Sequence, residues 1–367
     1  MGGYAEDLFY LLWRCMPKVM IEDGYTYHNQ RLGSAAMAFS QEHGIIKEIM
    51  KVTDDTNHKT AKGKNIKVTQ TRAPGFGPLG VARYVLPYTV FLKLKDIGGN
   101  VLPGYDEFFE GVDLTDEMAE QYQAMEITLV TELRKALAMG DSTLLGVVMN
   151  ALLAWPDCCF RAESVVHPRS RALLAFVPSL FDEEEFTPKE VKMLKMVLNN
   201  KSCERRTLVY TAYTGKRDTA SRLKHLMQQH GVKVAVLRSS VGTQEREDWI
   251  LEQVERGIDV LVCNPELVKT GLDLLEFPSI IFMQTGYNVY TLMQAARRSW
   301  RIGQKKDVDV TFLGYNETAQ MTCLELMAKK IAVTQSTSGD MPDNGLDTLN
   351  SDGDSIEVAL AKKLLNT

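Results

Sequence analysis

The stretch RTLVYTAYTGKRDTASRLKHLMQQHGVKVAVLRSSVGTQEREDWILEQVERGIDVLVC, residues 206–263, alternates short β-branched runs with amphipathic segments. Thr207 to Thr211, Val232 to Leu237 and Asp259 to Cys263 are near-continuous apolar runs, the pattern of strands buried on both faces. Between the first two, Asp218 is placed to cap a helix that puts Ala220, Leu223, Leu226 and Met227 on one face, and Gly231 suits its C-terminal turn. The next helix runs from Thr243 to Gly257, with Ile250, Leu251 and Val254 sharing a face. Downstream, Ser279 to Met283 and Val308 to Leu313 repeat the strand signature. The expectation is an α/β, doubly wound parallel sheet over about 206–313.

The stretch before residue 206 reads differently. Ala5 to Cys15 is helical until Pro17, and Thr115 caps a helix carrying Met118, Tyr122, Met125, Leu129 and Leu133 down one side. Lys51 to Gly80 is rich in Lys, Thr and Gly and reads as a surface excursion. A basic loop of this kind could touch DNA; a solvated loop is the plainer reading. The expectation is a mostly helical region that forms no complete sheet of its own. Thr334 to Asp354 reads as a linker before a short helix at Ile356 to Leu365.

With 42 Lys and Arg against 47 Asp and Glu, the net charge of −5 excludes a histone-like polycation but leaves room for a local basic groove. The longest apolar stretch, Leu144 to Trp155, is roughly 12 residues and too short to span a bilayer. The cysteines at 15, 158, 159, 203, 263 and 323 show no pairing rhythm and the N-terminus no secretory signal, which points to a reducing, cytoplasmic compartment.

Several motifs are excluded. Gly75-Phe-Gly77-Pro-Leu-Gly80 spells G-x-G-x-x-G, but Pro74 and Pro78 bracket the turn and no convincing helix is expected to follow it. No G-x-x-x-x-G-K-[ST], H-E-x-x-H, paired C-x-x-C or G-x-S-x-G occurs, and Cys158, Cys159 and His167 make a poor zinc set. The strongest signal is Gln294-Ala-Ala-Arg-Arg298-Ser-Trp-Arg301-Ile-Gly303-Gln304. On a helix, Gln294, Arg298 and Arg301 recur at i, i+4 and i+7, projecting an amide and two guanidinium forks from one face. No acid lies between 294 and 306 to neutralise them, which suits stabilisation of a phosphoryl transition state.

These residues resemble the sixth helicase motif of the Swi/Snf-type branch of superfamily two ATPases. Leu208 to Thr214 is similar to motif four, and Lys269-Thr270-Gly271-Leu-Asp273-Leu274 to motif five. Ser239 and Ser240, followed by Glu245-Arg246, occupy the place of elements whose serine or threonine meets the DNA backbone. Met1 to Ala5 looks like the residues after the motif-three T-G-T, and Leu102 to Tyr122 like the family's L-P…L-T stretch. The wording T-G-L-D-L and R-R-S-W-R-I-G-Q resembles Swi/Snf-like helicases of bacterial mobile elements. The chain departs from the family at Asn264 to Thr270 and at Trp300, where relatives carry histidine.

The resemblance implies the tail of a first RecA-like lobe over residues 1–50 and a helical protrusion and linker region over 51–185. A second RecA-like lobe follows over 186–333, then a linker and short helix over 334–367. The P-loop and the D-E-x-H acids, which bind ATP and Mg²⁺, would lie upstream of residue 1. Implied roles are catalytic for Arg298, Arg301 and Gln294, nucleotide-binding for Gly271 and Asp273, and DNA-binding for Tyr213, Thr214, Ser239, Ser240 and Thr270. Asp273 matches a ribose-contacting aspartate of the wider superfamily, or caps the turn that follows. The expected function is the C-terminal lobe of an ATP-dependent DNA helicase or translocase, inactive without an N-terminal lobe. The alternative is a non-catalytic DNA-binding or assembly module. A stand-alone metabolic α/β enzyme lacks a recognisable nucleophile, metal set or dinucleotide loop.

Overall fold

The computed structural model describes residues 5–53, 65–90, 102–268, 271–284, 286 and 289–337. These fall into two compact units, divided between Leu92 and Lys93. Thr270 and the helix expected at Ile356 to Leu365 lie outside the described residues.

In the first unit, helices α1 (Ala5–Cys15), α2 (Pro17–Glu22) and α3 (Gly33–His43) pack around Phe9, Leu12, Met20 and Phe39. Pro17 ends α1 as expected but opens α2, where its missing N–H falls in a first turn that leaves donors unused anyway. The surface excursion expected from Lys51 onward is corrected. Gly44–Thr53 (β1) and Asn65–Phe76 (β2) pair as an antiparallel ribbon, with residues 54–64 outside the described set. Local Lys, Thr and Gly content hid the ladder, because strand pairing is not encoded in composition. The reading that no helix follows the G-x-G-x-x-G run is corrected: the run spans the end of β2 and α4 (Pro78–Gly80), and helical backbone continues through Val81–Val85 and Leu86–Tyr88, but β2 is antiparallel, so this is not the turn between a parallel strand and its helix. Gly80 has a packing reason: a Cβ there would sit 2.5 Å from the Phe76 ring.

The second unit is built on a six-stranded parallel sheet. Its strands are β3 (Tyr105–Val112), β6 (Thr207–Tyr210), β7 (Val234–Leu237), β8 (Val260–Cys263), β9 (Ser279–Phe282) and β10 (Val308–Tyr315), in the order β3-β10-β9-β6-β8-β7. Five of these are the expected strands; β6, β8 and β9 are buried at every position, as strands covered on both faces must be. The sixth, β3, comes from the region read as helical and adds a parallel edge beside β10. A small antiparallel pair, β4 (Glu163–Val166) and β5 (Leu173–Val177), stands apart from the main sheet.

Helices cover both faces. On one side lie α5 (Asp116–Ala138) and α6 (Leu145–Ala154), together with α10 (Val289–Ala296) and α11 (Ala319–Thr337). They bury Met118, Tyr122, Leu129, Leu152 and Trp155 against Leu208, Leu261, Ile280 and Phe312. On the other lie α7 (Pro188–Ser202) and α8 (Thr219–Gln229), which bury Met193, Val197, Leu223 and Met227 against Val209, Val262 and Ile281. One more helix, α9 (Arg246–Glu255), buries Ile250 but begins three residues later than Thr243. Thr115 and Asp218 cap α5 and α8 as read, each accepting from a backbone N–H in the first turn. The backbone of α11 runs to Thr337, into the stretch read as linker from residue 334.

At the start of α7 a complete capping box forms: Thr187 Oγ1 accepts from Glu190 N–H and Glu190 Oε2 accepts from Thr187 N–H at 2.9 Å. Thr187→Ala should therefore cost about 1 kcal/mol of stability. A urea midpoint that does not move would contradict this role.

Candidate functional site

In a parallel sheet the loops leaving the carboxyl ends of the strands converge on one edge, where such folds bind ligands. The loop after β6 carries Tyr213 and Thr214, and the structure holds it from three sides. Gln284, just past β9, accepts from Ala212 N–H at 3.0 Å and from Thr211 Oγ1. Asn264, just past β8, donates to Ala212 O at 3.2 Å and to Thr214 Oγ1 at 3.4 Å. The Tyr213 carbonyl accepts from Thr219 N–H and Oγ1. After β7, Ser239 and Ser240 sit exposed in a turn closed by Val241 N–H on Arg238 O. Arg246, from the Glu245-Arg246 element, donates to Leu267 O at 2.8 Å and to Val241 O, tying that turn to the loop after β8.

Sequence reading missed three cations beside this loop. The Arg217 guanidinium lies over the Tyr213 ring at 5.4 Å and pairs with Glu163 at 2.7 Å. Arg161 donates to Lys216 O at 2.6 Å, so Arg161, Lys216 and Arg217 line one cavity of about 330 Å³ with Tyr213. Gly215-Lys216-Arg217 directly follows the motif-four block and was a usable signal. Arg161 had none, because only folding brings it across 55 residues.

The arginine block departs from the helical expectation. Helix α10 ends at Ala296, so Gln294 lies on its last turn while Arg298 and Arg301 lie beyond it. A helix would have bonded the Arg298 carbonyl to residue 302; here it accepts from Leu274 N–H at 3.0 Å. Gln304 Nε2 adds bonds to Leu275 O and Ser299 O, and Gly303 takes a left-handed φ of +102° that closes the turn. Residues 271–275 and 298–304 are thereby stitched together.

This stitching brings charges together that lie far apart in sequence. Arg301 forms an ion pair with Asp273, so the arginine pair does have a neighbouring acid, supplied from outside the 294–306 window. The Asp273 carboxylate accepts from Arg301 Nη1. Arg298 is buried and donates to Leu272 O at 3.3 Å. Burial, then the positive charge of Arg301, pull the Arg298 guanidinium below its ordinary pKa. Gly271, with φ +77°, holds the left-handed conformation at the head of this segment.

A cavity of about 690 Å³ lies at the opposite, amino-end edge of the sheet, lined by Lys201, Arg205, Arg206 and Lys305 among others. Three of its cations are already engaged: Lys201 with Asp259, Arg205 with Asp309 and Arg206 with Glu276. That edge is a pinned structural seam. Among the described residues no group of three or more His, Cys, Asp or Glu is placed to hold a metal ion. No described helix is long and apolar enough to cross a membrane.

Parallel strand order with helices on both faces defines a RecA-like α/β lobe. Residues 189–303 match the helicase conserved C-terminal domain. The chain is similar to an uncharacterized ATP-dependent helicase, YqhH, of Bacillus subtilis (strain 168), at 24% identity over 164 residues. That match covers 45% of this chain and 28% of the relative's length. Among solved structures it is similar to the C-terminal part of the Fun30 ATPase domain, with TM-score 0.53, 15% identity and coverage of 72% of this chain and 98% of that one. A looser likeness joins it to the Sulfolobus solfataricus SWI2/SNF2 ATPase core in complex with dsDNA, with TM-score 0.47, 18% identity and coverage of 68% and 48%. The resemblance read from the sequence, to the C-terminal portion of a Swi/Snf-type helicase, is borne out in its domain and its fold.

Proposed function

We propose that this chain is the C-terminal lobe of an ATP-dependent DNA helicase or translocase, with ATP bound between it and an N-terminal lobe that carries the P-loop lysine and Mg²⁺-binding acids. Residues 1–367 contain neither motif. Arg298 and Arg301 act as fingers on the γ-phosphate, Gln294 orients them, and Gly271 lets the backbone approach the nucleotide. The observation that carries this reading is the stitching of residues 271–275 to 298–304, which gathers both arginines and Asp273 in one place. Asp273 is the nucleotide-side acid and holds Arg301 until phosphate takes its place. Tyr213, Thr214, Ser239, Ser240 and Thr270 contact the DNA backbone, which fixes position without reading sequence. All six cysteines are free thiols.

The test is ATP hydrolysis by residues 1–367 alone and after addition of the parent protein's P-loop lobe. The chain alone should show negligible turnover, because an arginine finger stabilises a transition state only where its partner site exists. The pair of lobes should show DNA-stimulated turnover. Hydrolysis by the chain alone would overturn the two-lobe reading. A folded pair that binds DNA but never hydrolyses ATP would favour a DNA-binding or assembly module.

A further inference from the structure

We propose that Arg161, Lys216 and Arg217 form a binding site for a phosphate ester, with Glu163 as its exchangeable counter-ion. The three cations and this one acid line the cavity of about 330 Å³ beside Tyr213. Small-molecule sites usually run from roughly 300 to 1,000 Å³, so the occupant that fits is a phosphate carrying its sugar rather than a bare ion. Two segments build the site. Arg161 precedes β4 and Glu163 opens it, while Lys216 and Arg217 follow β6. Arg161 Nη1 donates to Lys216 O at 2.6 Å and Arg217 Nη2 donates to Glu163 Oε1 at 2.7 Å, bonds that join residues 55 and 54 positions apart.

Two observations point to an oxyanion. Charge is left over: among the described residues neither Arg161 nor Lys216 forms an ion pair with an acid, whereas Lys201, Arg205 and Arg206 of the amino-end cavity each meet one. Donors are left over as well, since the Nε–H groups of Arg161 and Arg217 are both buried without a hydrogen-bond acceptor among the described residues. Unmatched buried donors are costly, and native structures keep few of them. Arg217 is held through its two Nη groups alone, by Glu163 at 2.7 Å and by Asn150 Oδ1 at 3.3 Å. A guanidinium offers five donors in a planar fork, and a phosphate taken along the Nε–Nη edge, after a small turn of the fork, uses the donor that the carboxylate leaves idle. Glu163 thus holds Arg217 in place until phosphate displaces it. A free nucleotide and a DNA backbone both present this chemistry, and the site does not depend on the DNA contacts proposed for Tyr213 and Thr214.

The experiment titrates the full chain with thymidine 5′-monophosphate while NMR follows the Nε–H resonances of labelled arginine, assigned through Arg161→Lys and Arg217→Lys. Both resonances should move saturably, and thymidine without its phosphate should move neither. Lys216→Gln, at an exposed side chain, should weaken monophosphate binding about fivefold. Glu163→Gln should tighten it by about as much, because the competing carboxylate is gone. A carboxylate with a purely structural role gives no such gain. Lys305→Gln, the same change of charge at the amino-end cavity, should leave the affinity nearly unchanged. A short DNA duplex with 5′-hydroxyl ends separates the sources. If it moves the same resonances and competes with the monophosphate, the ester is a backbone phosphodiester; if only the monophosphate does so, it is a free nucleotide. Unmoved resonances with both ligands, equal losses from Lys216→Gln and Lys305→Gln, or weaker binding by folded Glu163→Gln would overturn the proposal. Lys216 and Glu163 keep the test decisive if an arginine variant fails to fold. Duplex binding by variants at Ser239 and Ser240 tests the carboxyl-edge DNA reading separately, so failure of one is distinguishable from failure of the other.

Discussion

Arg301→Ala, in the protein assembled with its P-loop lobe, should lower ATP turnover by about 10³- to 10⁵-fold while duplex affinity stays nearly constant. A finger acts on charge that develops in the transition state, so its loss lowers kcat and leaves ground-state binding largely in place. Arg301 suits this work: its guanidinium is partly exposed and paired with the exposed carboxylate of Asp273, a pairing in high dielectric that a phosphate can replace. Arg298→Ala should cause a comparable loss by a mixed route, because Arg298 is buried and also donates to Leu272 O. Circular dichroism and a thermal melt separate the two routes. Stopped or steady-state turnover unchanged in both variants would remove the arginines from the reaction.

The largest stability effect is expected at Lys189, the first residue of the helicase C-terminal match. Its ammonium is fully buried, 2.7 Å from Asp157 Oδ1 and 2.9 Å from Gln320 Oε1, beneath the Tyr315 ring. Gln320 in turn donates to Asp157 Oδ2 at 2.8 Å and to Leu153 O at 2.7 Å, so α6, α7 and α11 meet at one polar knot. Burial drives the Lys189 pKa down and the Asp157 pKa up, and the charge of each on the other opposes that drift. Removing one partner leaves an uncompensated buried charge, so Lys189→Ala should cost about 3 to 5 kcal/mol in urea unfolding. Lys189→Met/Asp157→Leu should recover much of that loss, since an apolar pair of similar volume carries no desolvation penalty. Equal destabilisation by the single and double variants would show that packing, not charge, governs the site.

The parallel strands were legible in the sequence because burial on both faces demands unbroken apolar runs, and TLVY, VLVC and SIIF can be little else. The caps at Thr115 and Asp218 were legible for a similar reason: a local backbone donor meets a local side chain. Strand β3 was not, since it is an edge strand reading YDEFFEGV, and the hydrogen bonds that make it a strand come from β10, about two hundred residues away. Composition likewise showed Lys51 to Gly80 as rich in Lys, Thr and Gly but not that Gly44–Thr53 and Asn65–Phe76 would pair as strands. The helix expected through Arg301 stopped at Ala296 because Leu274 N–H captured the Arg298 carbonyl, a long-range bond that no periodicity predicts. Residue types in order thus determined which side chains stand in the helicase-like blocks: two arginines, a glycine and an acid. The tertiary structure alone decided that Arg301 meets Asp273 and that Arg298 is buried, because contacts across tens of residues depend on how the sheet brings loops together.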